Sequence, residues 1–175
     1  MRAFQSLRPA IASSSLVHLQ GWGEPLLHPR LVDMVREVKK TGAQVGTTTN
    51  ATHLSRQAAD SLVGAGMDLV AVSLAGTRPE TNDVLRPGTS MQAVVQGIDN
   101  LQQAKKRQNS SLPRIHIAYM LLRSGLQELE DMPEFFARLN VHQAVVSPLA
   151  LVPDQALEEE AVLARSTEEW TQLAA

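Results

Sequence analysis

Short apolar runs alternate along the chain with stretches in which apolar residues recur every three or four positions. The runs have the length of β-strands, and the periodic stretches have the repeat of amphipathic helices. An almost continuous apolar run is typical of a parallel strand that is buried on both faces. The runs predict five strands, at Leu16–Gln20, Gln44–Thr49, Leu69–Leu74, Ile115–Leu122 and Gln143–Leu149.

Helical periodicity fills the intervals between the predicted strands. Pro29 suits the first turn of one helix and Gly42 its C-terminal end. Ser55 is the predicted N-cap of the next helix. A long loop, Ala75–Thr89, then precedes a helix that begins near Met91.

Two further segments are predicted to be helical. Leu126–Leu139 has helical periodicity, and Pro133 within it marks either a kink or a fresh first turn. The acidic run Glu158–Glu160 leads into a surface helix that ends near Trp170. Phe4–Ala12 fits the end of a helix that precedes the first strand.

The alternation of strand and helix is uninterrupted by any hairpin signal. Such alternation predicts an α/β fold built from βαβ units with a parallel sheet and right-handed crossovers. A partial TIM-like (β/α) barrel arc, with five parallel strands in sequential order, satisfies the pattern. An open doubly wound sheet satisfies it equally, and periodicity alone does not choose between them.

The composition is that of a globular protein with an aliphatic core. Hydrophobic residues make up 43% of the 175 residues, charged residues 19% and aromatic residues 3%. The net charge of −2 offers no basic surface, so we expect neither nucleic acid nor an anionic membrane as a partner. No apolar run approaches the roughly 20 residues of a membrane span, and residues 1–15 lack the apolar core of a secretory signal. We therefore expect a cytoplasmic location.

The sequence contains no cysteine. Disulfides, thiolate nucleophiles and metal or iron–sulfur sites made from the chain's own thiolates are therefore excluded. The five histidines show no spacing typical of metal ligands, and we predict no metal site and no catalytic residue.

Candidate binding residues follow the first three predicted strands, where ligands bind in parallel α/β folds. Gly21–Pro25 follows the first strand, and its glycines let main-chain groups approach a ligand closely. Thr48 and Asn50 end the second strand, and Ser73 lies at the end of the third. Hydroxyl groups there could bind a ribose or a carboxylate. Each feature also has a structural interpretation: Gly21–Pro25 as a turn, Asn50 and Ser73 as local caps.

Three strand-end motifs, Gly-Trp-Gly-Glu-Pro-Leu-Leu, Thr-Thr-Asn and Val-Ser-Leu, occur in this order and at suitable spacing. Together they resemble the radical S-adenosylmethionine (SAM) superfamily, and most of all its members that modify peptides, proteins or cofactor precursors. The resemblance covers about residues 16–149 and implies strands two to six of that family's partial barrel. Arg86-Pro-Gly also resembles an Arg-x-Gly that often follows the third motif.

The resemblance implies a SAM site at these strand ends. Main-chain groups of Gly23, Glu24 and Pro25 would face the amino group of SAM, whereas Thr48, Asn50 and Ser73 would reach its carboxylate and ribose. The full set of implied cofactor-binding residues is Gly21, Trp22, Gly23, Glu24, Pro25, Thr48, Asn50 and Ser73. In the intact family a 4Fe–4S cluster drives reductive SAM cleavage, and a hydrogen is abstracted from a substrate. For this chain the resemblance implies a peptide or protein as the substrate.

The sequence departs from the family pattern in two ways. Trp22 replaces the first glycine of the Gly-Gly-Glu-Pro motif. The Cys-x-x-x-Cys-x-x-Cys loop that binds the cluster is missing, so we expect an N-terminally truncated fragment that is inactive by itself. On this interpretation residues 1–15 are a remnant of the preceding helix and loop, 16–150 form the partial barrel and 151–175 form an acidic helical extension. The alternative is a degenerate, non-catalytic barrel that binds a nucleotide or a protein partner.

Overall fold

Five parallel strands form one sheet in the computed structural model, which describes residues 1–149 and 159–162. The strands are β1 (Leu16–His18), β2 (Gln44–Thr49), β3 (Leu69–Leu74), β4 (Arg114–Leu121) and β5 (Gln143–Pro148). Each strand is hydrogen-bonded to the next along the chain, and every pairing is parallel. The order confirms the predicted arc of a barrel, because a doubly wound sheet would reverse its strand order midway.

Seven α-helices accompany the sheet within the described part of the chain. They are α1 (Arg2–Ser6), α2 (Arg8–Ala12), α3 (Leu31–Lys39), α4 (Arg56–Gly64), α5 (Pro79–Leu85), α6 (Met91–Arg107) and α7 (Met132–Leu139). Short 3₁₀ turns occupy Pro25–Leu27 and Arg123–Glu128. None of the described helices has the length and apolar character that a membrane crossing requires.

The helix predictions hold in part. Ser55 is the N-cap of α4 and accepts a hydrogen bond from the Ala58 amide at 3.2 Å, as predicted. The predicted loop Ala75–Thr89 is wrong in its middle, because Pro79 starts α5 there. The predicted helix Leu126–Leu139 is instead a 3₁₀ turn followed by α7, with Pro133 in the first turn of α7.

The C-terminal predictions lie largely outside the described residues. The predicted helix ending near Trp170 falls there, as does most of the predicted extension. Within the described part, Glu159 and Glu160 form a turn, and Ala161 makes an isolated antiparallel bridge with Leu122.

The register divides the sheet into two faces of different character. Val45, Val70, Val72, Ile115 and Ile117 are fully buried and form the core between the sheet and its helices. The alternate positions form what we term the open face, which carries His18, Thr48, Ser73 and His116. These four side chains are half-buried or exposed. The open face is the side of the sheet that is available to a ligand.

Candidate functional site

The Glu24 carboxylate joins the loop after β1 to the end of β2. Its Oε1 accepts a hydrogen bond from the Thr49 hydroxyl at 2.6 Å, and its Oε2 accepts one from the Asn50 amide at 2.8 Å. Oε1 also accepts from the Leu26 amide at 3.0 Å, which caps the 3₁₀ turn that Pro25 begins. Two strand ends and the intervening turn are thus held by one side chain.

In the loop that Glu24 holds, the main chain at Gly23 is not covered by neighbouring atoms. Gly23 has a φ of +100°, a conformation that favours glycine, and no atom lies within 4 Å of where a Cβ would stand. Trp22 is fully exposed, with a relative accessibility of 108%. The side chain of Trp22 therefore plays no part in packing the loop, which explains how a bulky residue is accommodated there.

Register separates the three threonines at the end of β2. Thr47 and Thr49 are buried on the helix side, where the Thr47 hydroxyl donates to the Leu19 carbonyl at 2.7 Å and Thr49 contacts Glu24. Thr48 lies on the open face, and so does Ser73, two residues beyond the partner of Thr48 on β3. The two hydroxyls predicted to bind SAM therefore share one face and one end of the sheet.

Asn50 lies at the same edge but uses its side chain locally. Its Oδ1 accepts a hydrogen bond from the Thr52 amide at 2.9 Å, while its own amide donates to Glu24. This is the turn geometry that asparagine commonly stabilises. The interpretation of Asn50 as a local turn residue therefore accounts for its Oδ1. The contact of Asn50 with the rest of the candidate site is made mainly by its main-chain amide, which donates to Glu24.

Arg86 is a cation at this edge that was not among the predicted site residues. Burial lowers the pKa of Arg86, and the negative charge of Glu24 acts in the opposite direction. Its Nε is buried and has no hydrogen-bond partner within residues 1–149 and 159–162. The sequence signal was the Arg86-Pro-Gly motif, but only the fold shows that its Nε is buried and that the charge of Glu24 acts on its pKa.

A second buried carboxylate, Glu128, holds the loop after β3. It is 4% exposed and accepts hydrogen bonds from the Thr77 amide at 2.5 Å, the Thr77 hydroxyl at 2.8 Å and the Thr81 hydroxyl. Burial opposes ionisation of Glu128, but these hydrogen bonds and Arg78 outweigh it and hold the pKa below its ordinary value. No local sequence signal identifies Glu128, because its partners are about fifty positions away.

A cavity of about 440 Å³ adjoins the loop Gly21–Pro25. Phe4, Leu7 and Ile11 of the N-terminal segment line its other side. The loop therefore borders an apolar recess as well as the polar strand ends.

A family model describing the radical SAM superfamily matches residues 10–136. The chain belongs to the radical SAM superfamily. Most of the sheet and the whole site edge, from Gly21 to Arg86, lie within the matched residues. The predicted family is thereby confirmed.

Individual relatives agree with this assignment. The chain is 31% identical over 142 residues to the tungsten-containing aldehyde ferredoxin oxidoreductase cofactor-modifying protein of Pyrococcus furiosus, covering 80% of this chain and 40% of that protein. It is 27% identical over 152 residues to GTP 3',8-cyclase of Limosilactobacillus fermentum, covering 86% and 40%. The chain thus spans 40% of the length of either relative.

A similar fold is found in a solved structure, that of Streptococcus suis SuiB bound to S-adenosylmethionine. The two folds superpose with a TM-score of 0.74, covering 98% of this chain and 38% of SuiB. Because the sequences are 13% identical, this likeness concerns the fold alone.

The radical SAM family uses two cofactors, SAM and a 4Fe–4S cluster. The residues of this chain suit SAM but not the cluster. The open face offers the hydroxyls of Thr48 and Ser73, and the neighbouring loops offer the main chain of Gly23 and the partly buried guanidinium of Arg86, which match the polar groups of SAM. A 4Fe–4S cluster does not fit the residues of this chain, because the sequence has no cysteine. Within the part of the chain that the structure describes, no group of three His, Asp or Glu side chains could hold a metal ion.

Replacing Glu24 with alanine should loosen the radical SAM strand ends. The Asn50 and Leu26 amides lose their carboxylate acceptor, so we expect their hydrogen exchange to accelerate by about tenfold or more. Amide exchange followed by NMR measures this. Glu80→Ala, at an exposed position on α5, is the matched control and should leave both rates unchanged. Unchanged exchange at Asn50 in Glu24→Ala would contradict the role of this carboxylate.

Glu128 should stabilise the fold in a pH-dependent manner. Because its folded-state pKa is lowered from 4.5, its ionised form stabilises the protein at neutral pH, and this contribution is lost as the pH falls below 4.5 through the lowered pKa. Glu128→Gln should therefore lower the free energy of unfolding by about 2 kcal/mol at neutral pH and by less in acid. Urea denaturation across pH measures the difference, with the exposed Glu130→Gln as control. A deficit that is constant or grows on acidification would contradict this assignment.

Proposed function

We propose that the edge formed by Gly21–Pro25, Thr48, Asn50 and Ser73 binds SAM. The observation that carries this proposal is the Glu24 bridge, which brings the glycine loop to the end of β2 with hydrogen bonds of 2.6 and 2.8 Å. Thr48 and Ser73 lie beside this bridge on the open face. A ligand at this edge would therefore meet main-chain and hydroxyl groups together.

The groups of SAM pair with these residues by their chemistry. Carbonyl groups of Gly21–Pro25 would accept from the methionine ammonium, and the hydroxyls of Thr48 and Ser73 would bind the ribose. The Arg86 guanidinium would bind the SAM carboxylate, which would satisfy its unpaired Nε with a charge-assisted hydrogen bond. Arg86 thus extends the set of binding residues beyond those predicted from the sequence.

The chain would supply the SAM-binding part of a radical SAM enzyme and not its redox centre. In the family a 4Fe–4S cluster supplies the electron for SAM cleavage, and the thiolates that hold it are not in this sequence. We therefore propose that the 175-residue chain does not cleave SAM by itself. Formation of 5′-deoxyadenosine by the chain after treatment with iron and sulfide would contradict this.

A peptide is the proposed substrate class of the whole protein. One of the similar folds is SuiB bound to its precursor peptide SuiA, with a TM-score of 0.67. The relative from Pyrococcus furiosus is by its name a cofactor-modifying protein, so a cofactor precursor is the competing class. The open face of β4 and β5, away from the proposed SAM site, would then face the substrate.

Removing the Ser73 hydroxyl should weaken SAM binding. Ser73→Ala loses one hydrogen bond to the ligand, so we expect the Kd to rise by about threefold to tenfold. Isothermal titration of the chain with SAM measures this. Ser111→Ala is the matched control, because Ser111 is exposed just before β4, at the amino end of the sheet. Equal effects of the two substitutions, or no SAM binding by the unmodified chain, would contradict the proposed site.

A further inference from the structure

His18 lies across Gly46 on the open face. The two residues are register partners on β1 and β2. A Cβ on Gly46 would stand 3.0 Å from His18 Nδ1 and 3.4 Å from its Cε1. The ring therefore occupies the space that a side chain at position 46 would fill. Gly46 has no positive φ in the structure, so its role is to leave this space and not to permit a turn.

The His18 ring reaches from Gly46 to Thr48. Its Nε2 lies 2.9 Å from the Thr48 hydroxyl, which is a full hydrogen bond. The Thr48 hydroxyl group could otherwise occupy other staggered χ1 positions, and this hydrogen bond favours one of them. His18 is exposed and contributes nothing to the buried core. Among residues 1–149 and 159–162, its one hydrogen bond to a side chain is thus made to a proposed ligand-binding group.

We infer that His18 is a positioning residue, which acts through Thr48 to orient its hydroxyl toward the ligand. This inference rests on the proposed function, since Thr48 is a proposed SAM contact. If Nε2 accepts the hydroxyl hydrogen, the lone pairs of Thr48 face a ligand donor such as a ribose hydroxyl. If Nε2 donates, the hydroxyl hydrogen is left for a ligand acceptor such as a carboxylate. In both cases the ligand meets a hydroxyl with one defined role.

Binding of S-adenosylhomocysteine to the full chain tests the inference by titration calorimetry. His18→Leu and Thr48→Val should each raise the Kd by about fivefold. The double variant should bind no worse than Thr48→Val alone, because His18 acts only through that hydroxyl. His18→Gln keeps a hydrogen-bonding group at similar reach and should recover most of the affinity. His53→Leu, at an exposed histidine on the loop after β2, is the control and should bind as the unmodified chain does.

A second measurement needs no ligand. It separates the positioning role of His18 from the proposed contact between Thr48 and SAM. Three-bond couplings in NMR report the χ1 angle of Thr48, which we expect to be a single rotamer in the unmodified chain and in His18→Gln, and averaged in His18→Leu. Gly46→Ala should also increase averaging, because its Cβ would lie 3.0 Å from His18 Nδ1 and 3.2 Å from Leu69 Cβ and would shift the ring away from Thr48. A fixed Thr48 rotamer in His18→Leu, or additive losses in the double variant, would overturn the positioning role. If instead the couplings change as expected but Thr48→Val binds normally, the proposed contact between Thr48 and the ligand fails, and with it the inferred effect on binding.

Discussion

The geometry of the candidate site depends on one carboxylate whose role is structural. Glu24 stands in the loop after β1, and its two oxygens accept from the Thr49 hydroxyl and the Asn50 amide at the end of β2. Without this bridge, the loop Gly21–Pro25 would have few restraints, because no atom lies within 4 Å of where a Cβ on Gly21 or Gly23 would stand, and Trp22 is fully exposed. A carboxylate satisfied by three hydrogen-bond donors is costly to replace with a shorter or apolar group, since its partners would be left unpaired.

The neighbouring loop is organised in the same way. Glu128 receives three hydrogen bonds from Thr77 and Thr81, and this fixes the segment after β3 from which Arg86 extends. The carboxylates of Glu24 and Glu128 thus both accept hydrogen bonds from protein donors, and neither is well placed to act as a general acid or base. The groups left for a ligand are the hydroxyls of Thr48 and Ser73 and the guanidinium of Arg86. This division suits a site that binds and orients a cofactor.

The sequence predicted the strands well because their signal is local. The bounds of β2 and β3 match the predicted ones, since each strand is a short run of β-branched and small residues set off from the helical pattern on either side. Helix α5 was missed because its sequence, PETNDVL, is short and polar and lacks an apolar period. The partial-barrel order required the family resemblance, because alternation alone fits two topologies.

The site was predictable only in part because its contacts are long-range. The strand-end rule singled out Glu24, Thr48 and Ser73, but only the register shows that Thr48 lies on the open face while Thr47 and Thr49 face the helices. Arg86 and Glu128 take their roles from residues distant along the chain. The same holds for His18, whose partner Thr48 is thirty positions away.

Binding of SAM at the strand ends held by Glu24 is tested most directly by an NMR map of amide shifts as S-adenosylhomocysteine is added to the full chain. We expect the shifted amides to cluster at the carboxyl ends of β1, β2 and β3, in Gly21–Glu24, in Thr48–Asn50 and around Ser73. We also expect this cluster to be lost in Glu24→Ala while the core amides of β3 and β4 stay in place. Shifts centred on the amino ends of the strands, or the same cluster in Glu24→Ala, would contradict it.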